Sequence, residues 1–339
     1  MPPISATLER LISGTHLTFD EMTEVMDQVM TGQLTPAQIG ALLIALRIKG
    51  ETTEEIAAAA TSMRKHATRI DAGAPPIVDT CGTGGDGRHT FNISTTAAII
   101  AAGAGVKIAK HGNRSISSKC GSADVLAALG INTSATPDQV SASVQNAGIG
   151  FLFAPALHGA MKHAIGPRRE LGVRTIFNML GPLTNPACAT AQVIGVFAPE
   201  LTTVFADVLK RMGAERALIV HGLDGSDEIT GCACTAMTEL RAGTITSRQF
   251  DPRPIIGSFC TEEDLKGGDA DANAAITRAI LDGSDSGPKA QVACLNAGAV
   301  IYVAGLAASI EDGYAKALDA IASGSAISKL QQMAEYSHA

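Results

Sequence analysis

Asp79-Thr-Cys-Gly-Thr-Gly-Gly-Asp-Gly87, followed closely by Asn92-Ile-Ser-Thr95, has the composition of an anion cradle. Glycines let backbone N–H groups approach a phosphate, and the free amides at a helix start favour negative charge. The apolar run 75–78 ahead of it reads as a strand, and 97–102 after it as a buried helix capped by Ser94 or Thr95. A second cluster, Lys110-His-Gly-Asn-Arg-Ser-Ile-Ser-Ser118 with Gly121-Ser122 opening a helix, follows the apolar run 106–109. Lys110 and Arg114 suit phosphate oxygens, the serines and local amides can hydrogen-bond them, and Asn113 suits a hydroxyl or an amine. A third group, Asp224-Gly-Ser-Asp-Glu228, follows a strand that ends at His221. Adjacent carboxylates at Asp227 and Glu228 suit Mg²⁺, which prefers one or two carboxylates plus substrate phosphates and water.

Gly82-x-Gly84-x-x-Gly87 also satisfies a dinucleotide fingerprint, which needs an acidic residue about 20 positions on for the ribose. Position 107 is Lys, and no Asp or Glu lies between Asp86 and Asp124. A nicotinamide or flavin reading is therefore rejected in favour of a phosphate-bearing ligand. Arg168-Arg169-Glu170 offers a basic pair for a carboxylate, or a helix-surface ion pair. His111 and His158 are the best-placed histidines, as hydrogen-bonding groups rather than proton shuttles. No catalytic triad, HExxH or Walker motif appears. That favours chemistry by positioning and electrostatic support of a leaving group.

The elements that must position these groups alternate. From about 77 to 153, strands and helices follow one another at the spacing of a mostly parallel sheet covered by helices, and further strands read over 191–197, 217–221 and 236–240. Ligands of such sheets sit beyond the carboxyl ends of the strands. The first seventy residues read as helices, opened by Thr18-x-x-Glu21, by Thr35-Pro36 with Gln38, and by Thr53. Ala72-Gly-Ala-Pro-Pro76 reads as a hinge, and helical texture returns over 158–183. The predicted fold class is α/β: a small N-terminal helical domain, 1–72 joined in space by about 158–183, hinged to a larger α/β domain of 73–157 and 184–339. Three apolar helical segments fill 270–321.

The net charge of −7 over 339 residues argues against broad nucleic-acid binding. Yet Arg88, Lys107, Lys110, Arg114 and Lys119 occur with no acid among them, as a site for a small polyanion requires. No apolar run spans a bilayer and no signal-peptide pattern opens the chain, so no membrane partner is expected. Seven scattered cysteines without metal-ligand spacing fit reduced thiols and a cytoplasmic location. Cys232 and Cys234 read as two core thiols on one side of a strand.

The motifs together carry a resemblance over nearly the full length. The glycine loop, 92–95, Lys110–Ser118, Gly121-Ser-Ala-Asp124, Arg168-Arg-Glu-Leu-Gly172, Arg174-Thr-Ile-Phe-Asn178, Gly181-Pro-Leu-Thr-Asn-Pro186 and Asp227-Glu228 are similar, in this order, to those of the anthranilate phosphoribosyltransferases of tryptophan biosynthesis. The resemblance implies a helical domain hinged to an α/β domain, usually in a homodimer formed through the helical part. It implies that Gly82, Gly85, Asp86, Thr90, Asn92, Ile93, Ser94 and Thr95 hold phosphoribosyl pyrophosphate. Lys110, His111, Gly112, Asn113, Arg114, Ser115, Ile116, Ser117, Ser118 and Ser122 would complete that site. Ser94, Asp227 and Glu228 would bind two Mg²⁺, and Gly82, Asn113 and Arg168 would face anthranilate, with His158 a weaker candidate. The family commonly has His-Pro where this chain has His158-Gly159. Two other readings are weighed against it: a pyrimidine nucleoside phosphorylase-like enzyme, and a non-catalytic relative that binds nucleic acid.

Overall fold

The computed structural model describes residues 3–85, 87–114 and 119–339. Asp86, Ser115, Ile116, Ser117 and Ser118, all expected in the phosphate site, lie outside the described residues. Four helices open the chain: α1 (Ile4–Ile12), α2 (Phe19–Met30), α3 (Pro36–Lys49) and α4 (Thr53–Lys65). Capping boxes start α2 (Thr18 with Glu21), α3 (Thr35 with Gln38) and α4 (Thr52 with Glu55). The α4 cap is thus Thr52, one residue before the expected Thr53. Only from there does the side chain reach the amide of Glu55.

The central sheet has seven strands in the order β3-β2-β1-β4-β5-β6-β7. In chain order these are β1 (Val78–Gly82), β2 (Ile108–Gly112), β3 (Ile149–Phe153), β4 (Ala191–Gly195), β5 (Arg216–Gly222), β6 (Thr235–Arg241) and β7 (Thr244–Phe250). β3, β2, β1, β4 and β5 pair in parallel, and β6 and β7 are antiparallel additions at one edge. Between β1 and β2 lies α5 (Ile93–Gly103). Between β2 and β3 lie α6 (Ser122–Ala128) and α7 (Pro137–Ala142), the latter widening into a π turn over Ser143–Ala147.

The helical return is α8 (Ala154–Leu157), α9 (Lys162–Leu171) and α10 (Phe177–Leu180), and α11 (Leu201–Arg211) links β4 to β5. After the short α12 (Arg253–Ile256) come α13 (Ala270–Leu281), α14 (Pro288–Val303), α15 (Ile310–Ala322) and α16 (Ser325–His338). Neither α11 nor β7 is among the expected elements, whereas the three helices expected over 270–321 are α13, α14 and α15, and α16 follows beyond that range.

Side-chain alternation along the strands assigns each face a core. Val193, Leu218 and Val220 point to one side, where α14 covers β4 and β5, and they share a core with α5 and α16, which pack on β1, β2 and β3. Ile194, Val196, Ala217 and Ile219 point to the other and share a core with α11 and the N-terminal helices. The expected mostly parallel sheet covered on both faces is therefore present. In the helical return, α9 packs on α3 and α2.

The helical part is pinned by a buried pair. Lys49 Nζ donates to Glu55 Oε2 at 2.8 Å, and the two side chains are 2% and 0% exposed. Glu55 also accepts from the Leu17 and Thr52 amides. Burial raises the carboxyl pKa, but these hydrogen bonds and Lys49 outweigh it and hold the group below its usual range. Removing one partner of such a pair strands the other without compensation. Glu55→Ala should therefore destabilise the protein by about 3–5 kcal/mol at neutral pH, read as a lowered denaturant midpoint. Because the folded pKa is depressed, the contribution is present above the ordinary carboxylate range and is lost as pH falls below it. A midpoint within error of wild type at pH 7 would contradict the assignment.

Candidate active site

Strand connections run away from β1 toward β2 on one side and from β4 toward β5 on the other. In an open parallel sheet that reversal leaves a crevice beyond the strand ends. Gly82 and Gly195, the last residues of β1 and β4, are register partners at its floor. The glycine loop begins after Gly82, so this glycine lies in the strand and not in the turn expected for it. Lys110, His111 and Gly112 likewise lie in β2 rather than in a loop after it.

The helix after the glycine loop starts earlier than expected. Its N-cap is Asn92, and neither Ser94 nor Thr95 caps it. Both instead fall in its first turn, where backbone N–H groups have no partner within the helix. One of those amides, Ser94 N, donates to Glu228 Oε1 at 3.2 Å. Thr95 Oγ1 is buried beside it without a hydrogen-bond partner.

The three clusters meet. Gly84 N donates to Asp227 Oδ2 at 2.7 Å. Lys110 Nζ donates to Thr80 O at 2.6 Å and reaches Ser94 Oγ at 3.5 Å. Ser94 thus touches both Lys110 and Glu228. The acidic loop is built for this approach. Asp224 turns inward to accept from Ser226 N, Ser226 Oγ and Thr230 Oγ1, which leaves 227 and 228 to face the glycine loop. A Cβ at Gly195 would lie 1.5 Å from Asp227 O, so only glycine lets the loop cross β4 here.

Beneath this hollow is a layer of buried polar groups. Burial pushes the Asp79 carboxyl up and the Lys110 ammonium down, and Asp79 accepts from the His111 amide at 3.0 Å. His111 and His158 face each other with ring centroids 5.1 Å apart. Burial lowers their pKa values to about 3 and about 4. At those values both rings are neutral near pH 7, and the Nε2 atom of each is buried without a hydrogen-bond partner.

Comparison with known proteins gives the arrangement its family. Residues 5–67 match the glycosyl transferase family helical bundle domain, and 74–327 match the glycosyl transferase family a/b domain. The chain is 54% identical to an anthranilate phosphoribosyltransferase of Desulfosudis oleivorans over 98% of both chains. It is 48% identical to one from Acetivibrio thermocellus, over 99% of this chain and 97% of that one. The crystal structure of the Thermus thermophilus enzyme superposes with a TM-score of 0.93 at 43% identity, covering 98% of this chain and 99% of that one. The Saccharomyces cerevisiae enzyme in complex with PRPP and Mg gives 0.89 at 26% identity, covering 99% and 98%.

The chain belongs to the anthranilate phosphoribosyltransferases.

Within this family frame the remaining expected residues fall as follows. Asn113 and Ser122 hold each other, Asn113 N to Ser122 Oγ at 3.2 Å and Ser122 Oγ to Asn113 O at 3.1 Å. Arg114 follows at the rim, with its guanidinium 6.0 Å from the Phe153 ring centroid. Thr90 makes an antiparallel bridge with Lys266. Ile93 is buried under the α5 start. Arg168 lies on α9, half-buried, its guanidinium 4.9 Å from the Phe177 ring centroid. Gly159 opens a short 3₁₀ turn, and a Cβ there would meet nothing within 4 Å.

One cross-cleft contact has no role assigned from sequence. Arg174 stacks 4.1 Å from the Phe197 ring centroid and donates from Nη2 to Gly85 O at 3.0 Å. It ties the helical wall to the glycine loop across 89 positions. The expectation for Cys232 and Cys234 is corrected. Both precede β6, and Cys232 Sγ lies 3.6 Å from Cys260 Sγ. Glycine at 231 and an irregular backbone, rather than a strand, set their direction.

Proposed function

We propose that this enzyme transfers the 5-phosphoribosyl group from phosphoribosyl pyrophosphate to the amine of anthranilate, giving N-(5-phosphoribosyl)anthranilate and diphosphate in tryptophan biosynthesis. The observation that carries the reading is the contact of Gly84 and Ser94 with Asp227 and Glu228, beside Lys110, at one strand-end crevice. The reading assigns phosphoribosyl pyrophosphate to Gly82, Gly85, Asp86 and the α5 start together with the stretch from Lys110 to Ser118 and Ser122, with Lys110 and the loop amides on its diphosphate. Ser94, Asp227 and Glu228 are hard oxygen donors suited to Mg²⁺, with substrate phosphates completing the shell. Two ions per site is part of the proposal. Bound Mg²⁺ would neutralise charge on the departing diphosphate.

The chain's own groups do the rest. Gly84 N and Ser94 N hold Asp227 and Glu228 beside the place assigned to the leaving group, where the other amides of the glycine loop and of the α5 start would meet it together with the Lys110 ammonium. As the bond to the anomeric carbon lengthens, positive character spreads over the ribose ring. The anthranilate amine attacks from the opposite face as the bond to diphosphate breaks, and the proton that the nitrogen then sheds passes to solvent or to the departing diphosphate. An aromatic amine is neutral at pH 7, so no base is needed to expose its lone pair. The two neutral histidines fit that economy.

Arg168 is proposed to bind the anthranilate carboxylate, and Gly82 and Asn113 to flank the amine. Burial already weakens the solvation of the Arg168 guanidinium, whose pKa it lowers, so an anionic partner gains there. Arg168→Ala should raise the anthranilate KM by about tenfold to a hundredfold with little change in the KM for the diphosphate substrate. Steady-state kinetics with each substrate varied would show this, and an effect confined to the diphosphate substrate would overturn it.

The domain division at 72/73, with 158–183 joined to the helical part, is proposed together with a homodimer through that part. Ile12 and Ile48, 71% and 81% exposed on α1 and α3, support the latter. Sedimentation of the full chain as a monomer would exclude it. The reading places the enzyme in the cytoplasm. Among the described residues no helix is long and apolar enough to cross a membrane. Loss of anthranilate fluorescence on mixing with phosphoribosyl pyrophosphate and Mg²⁺ tests the activity. Turnover that needs inorganic phosphate and a pyrimidine nucleoside instead would replace it.

A further inference from the structure

Asn92 and Asn273 lie 181 positions apart and are joined by their side-chain amides. Asn273, on the first turn of α13, is 1% exposed. Its Oδ1 accepts from Gly268 N at 2.7 Å. Its Nδ2 donates to Asn92 Oδ1 at 2.9 Å. Asn92 Nδ2 in turn donates to Cys120 O at 3.3 Å. Both ends of this relay are backbone groups of fixed polarity. Gly268 N–H can only donate and the Cys120 carbonyl can only accept. The orientation of each amide is therefore dictated and cannot flip without setting two like groups against each other.

The relay ties three segments that meet around the site: the end of the glycine loop at 92, the start of α6 through 120, and the 266–268 strip. That strip already pairs with the loop, Phe91 N to Leu265 O at 3.1 Å and Gly267 N to His89 O at 3.0 Å. Gly267 is held so close that a Cβ would sit 2.6 Å from Asn273 Oδ1 and 2.7 Å from Phe91 Cα. Asn273 also lines a cavity of about 220 Å³ together with Thr90, Lys119, Cys120 and Lys266. The cavity thus opens between the end of the glycine loop and the 119–120 segment, and Asn273 forms part of its wall.

We propose that Asn273 is a positioning residue for the phosphoribosyl pyrophosphate site, acting through Asn92 to fix the α5 start against the second phosphate-binding stretch. The inference rests on the proposed function for its kinetic consequence. Its structural content stands apart from it. Asn92 side-chain groups are committed to the protein, so their work is to hold the first-turn amides of Ser94 and Thr95 in place. Misplacing those amides weakens the grip on the diphosphate and leaves the far wall, with Arg168, as it was.

Asn273→Asp is the sharpest test. It keeps the size and the acceptor for Gly268 N–H, but sets a carboxylate oxygen against Asn92 Oδ1. If Asn92 flips to donate, its oxygen meets the Cys120 carbonyl instead. The KM for phosphoribosyl pyrophosphate should rise about tenfold to a hundredfold while the anthranilate KM stays within about twofold. Amide hydrogen exchange over 88–93 and 119–122 should speed up in the substrate-free protein. Asn273→Ala, which removes the donor without adding charge, serves if the Asn273→Asp variant does not fold, and should show the same split.

Thr277→Val is the structural control. It removes a buried 3.0 Å contact between Thr277 Oγ1 and Thr96 Oγ1, one turn along α13, and leaves the relay intact. It should lower the melting temperature and leave both KM values unchanged. A wild-type KM for phosphoribosyl pyrophosphate in both Asn273→Asp and Asn273→Ala overturns the proposal. So does an equal rise of both KM values with a melting loss matching Thr277→Val, which would mark Asn273 as structural only. If the wild-type enzyme itself fails to use the diphosphate substrate, the functional reading falls, and exchange over 88–93 still decides the relay.

Discussion

Asp227→Asn and Glu228→Gln should each cut kcat about a thousandfold, close to 4 kcal/mol on the barrier, and each should shift or abolish the Mg²⁺ dependence. The substitutions are chosen because the structure lets them change charge alone. An Asn at 227 can still accept the Gly84 amide, which now donates to Asp227 Oδ2 at 2.7 Å. A Gln at 228 can still accept from Ser94 N. The loops are therefore expected to stay where they are. What disappears is the negative charge that draws a hard cation to the diphosphate. Rates measured across a Mg²⁺ titration give the result. Wild-type turnover with unchanged metal dependence in both variants would remove the acidic loop from the mechanism.

That these residues meet was legible from sequence only at the level of strand ends. The glycine loop, the Lys110 stretch and the acidic loop each follow an apolar run, and a parallel sheet sends such loops to one edge. The capping boxes at Thr18 and Thr35 were legible because capping is local: the cap and its partner are three residues apart. The α4 cap was misplaced by one because adjacent threonines at 52 and 53 offer the same chemistry, and only the carboxylate of Glu55 chooses between them.

What stayed hidden is long-range or polar. β7 carries mostly exposed residues, so it shows no apolar alternation. The Cys232–Cys260 approach, the Arg174 contact to Gly85 and the Asn92–Asn273 relay join positions 28, 89 and 181 apart. No local pattern encodes them. Gly195 reads as an ordinary strand residue, and its need for a bare Cα comes only from the acidic loop that crosses it.

The same crossing yields a second large effect. Gly82→Ala should lower kcat/KM about a hundredfold and weaken the apparent Mg²⁺ affinity without altering a single charge. A Cβ at Gly82 would stand 2.2 Å from Asp227 Oδ2 and 2.9 Å from its Cγ. The carboxylate must swing away, and in doing so it loses the Gly84 amide. The strand itself tolerates the change, because Gly82 lies in regular pairing with Gly195 and has no left-handed backbone. Displacement and removal of the carboxylate are then told apart by their response to Mg²⁺. In Gly82→Ala the charge remains near the site, so raised Mg²⁺ should restore part of the rate. In Asp227→Asn it is gone, and added metal should restore little. Gly159→Ala, on the far wall with open space for a methyl, should keep near wild-type rates. A Gly82→Ala enzyme with wild-type metal dependence would show that Asp227 does not need its present position, and the role drawn from its contacts would fail with it.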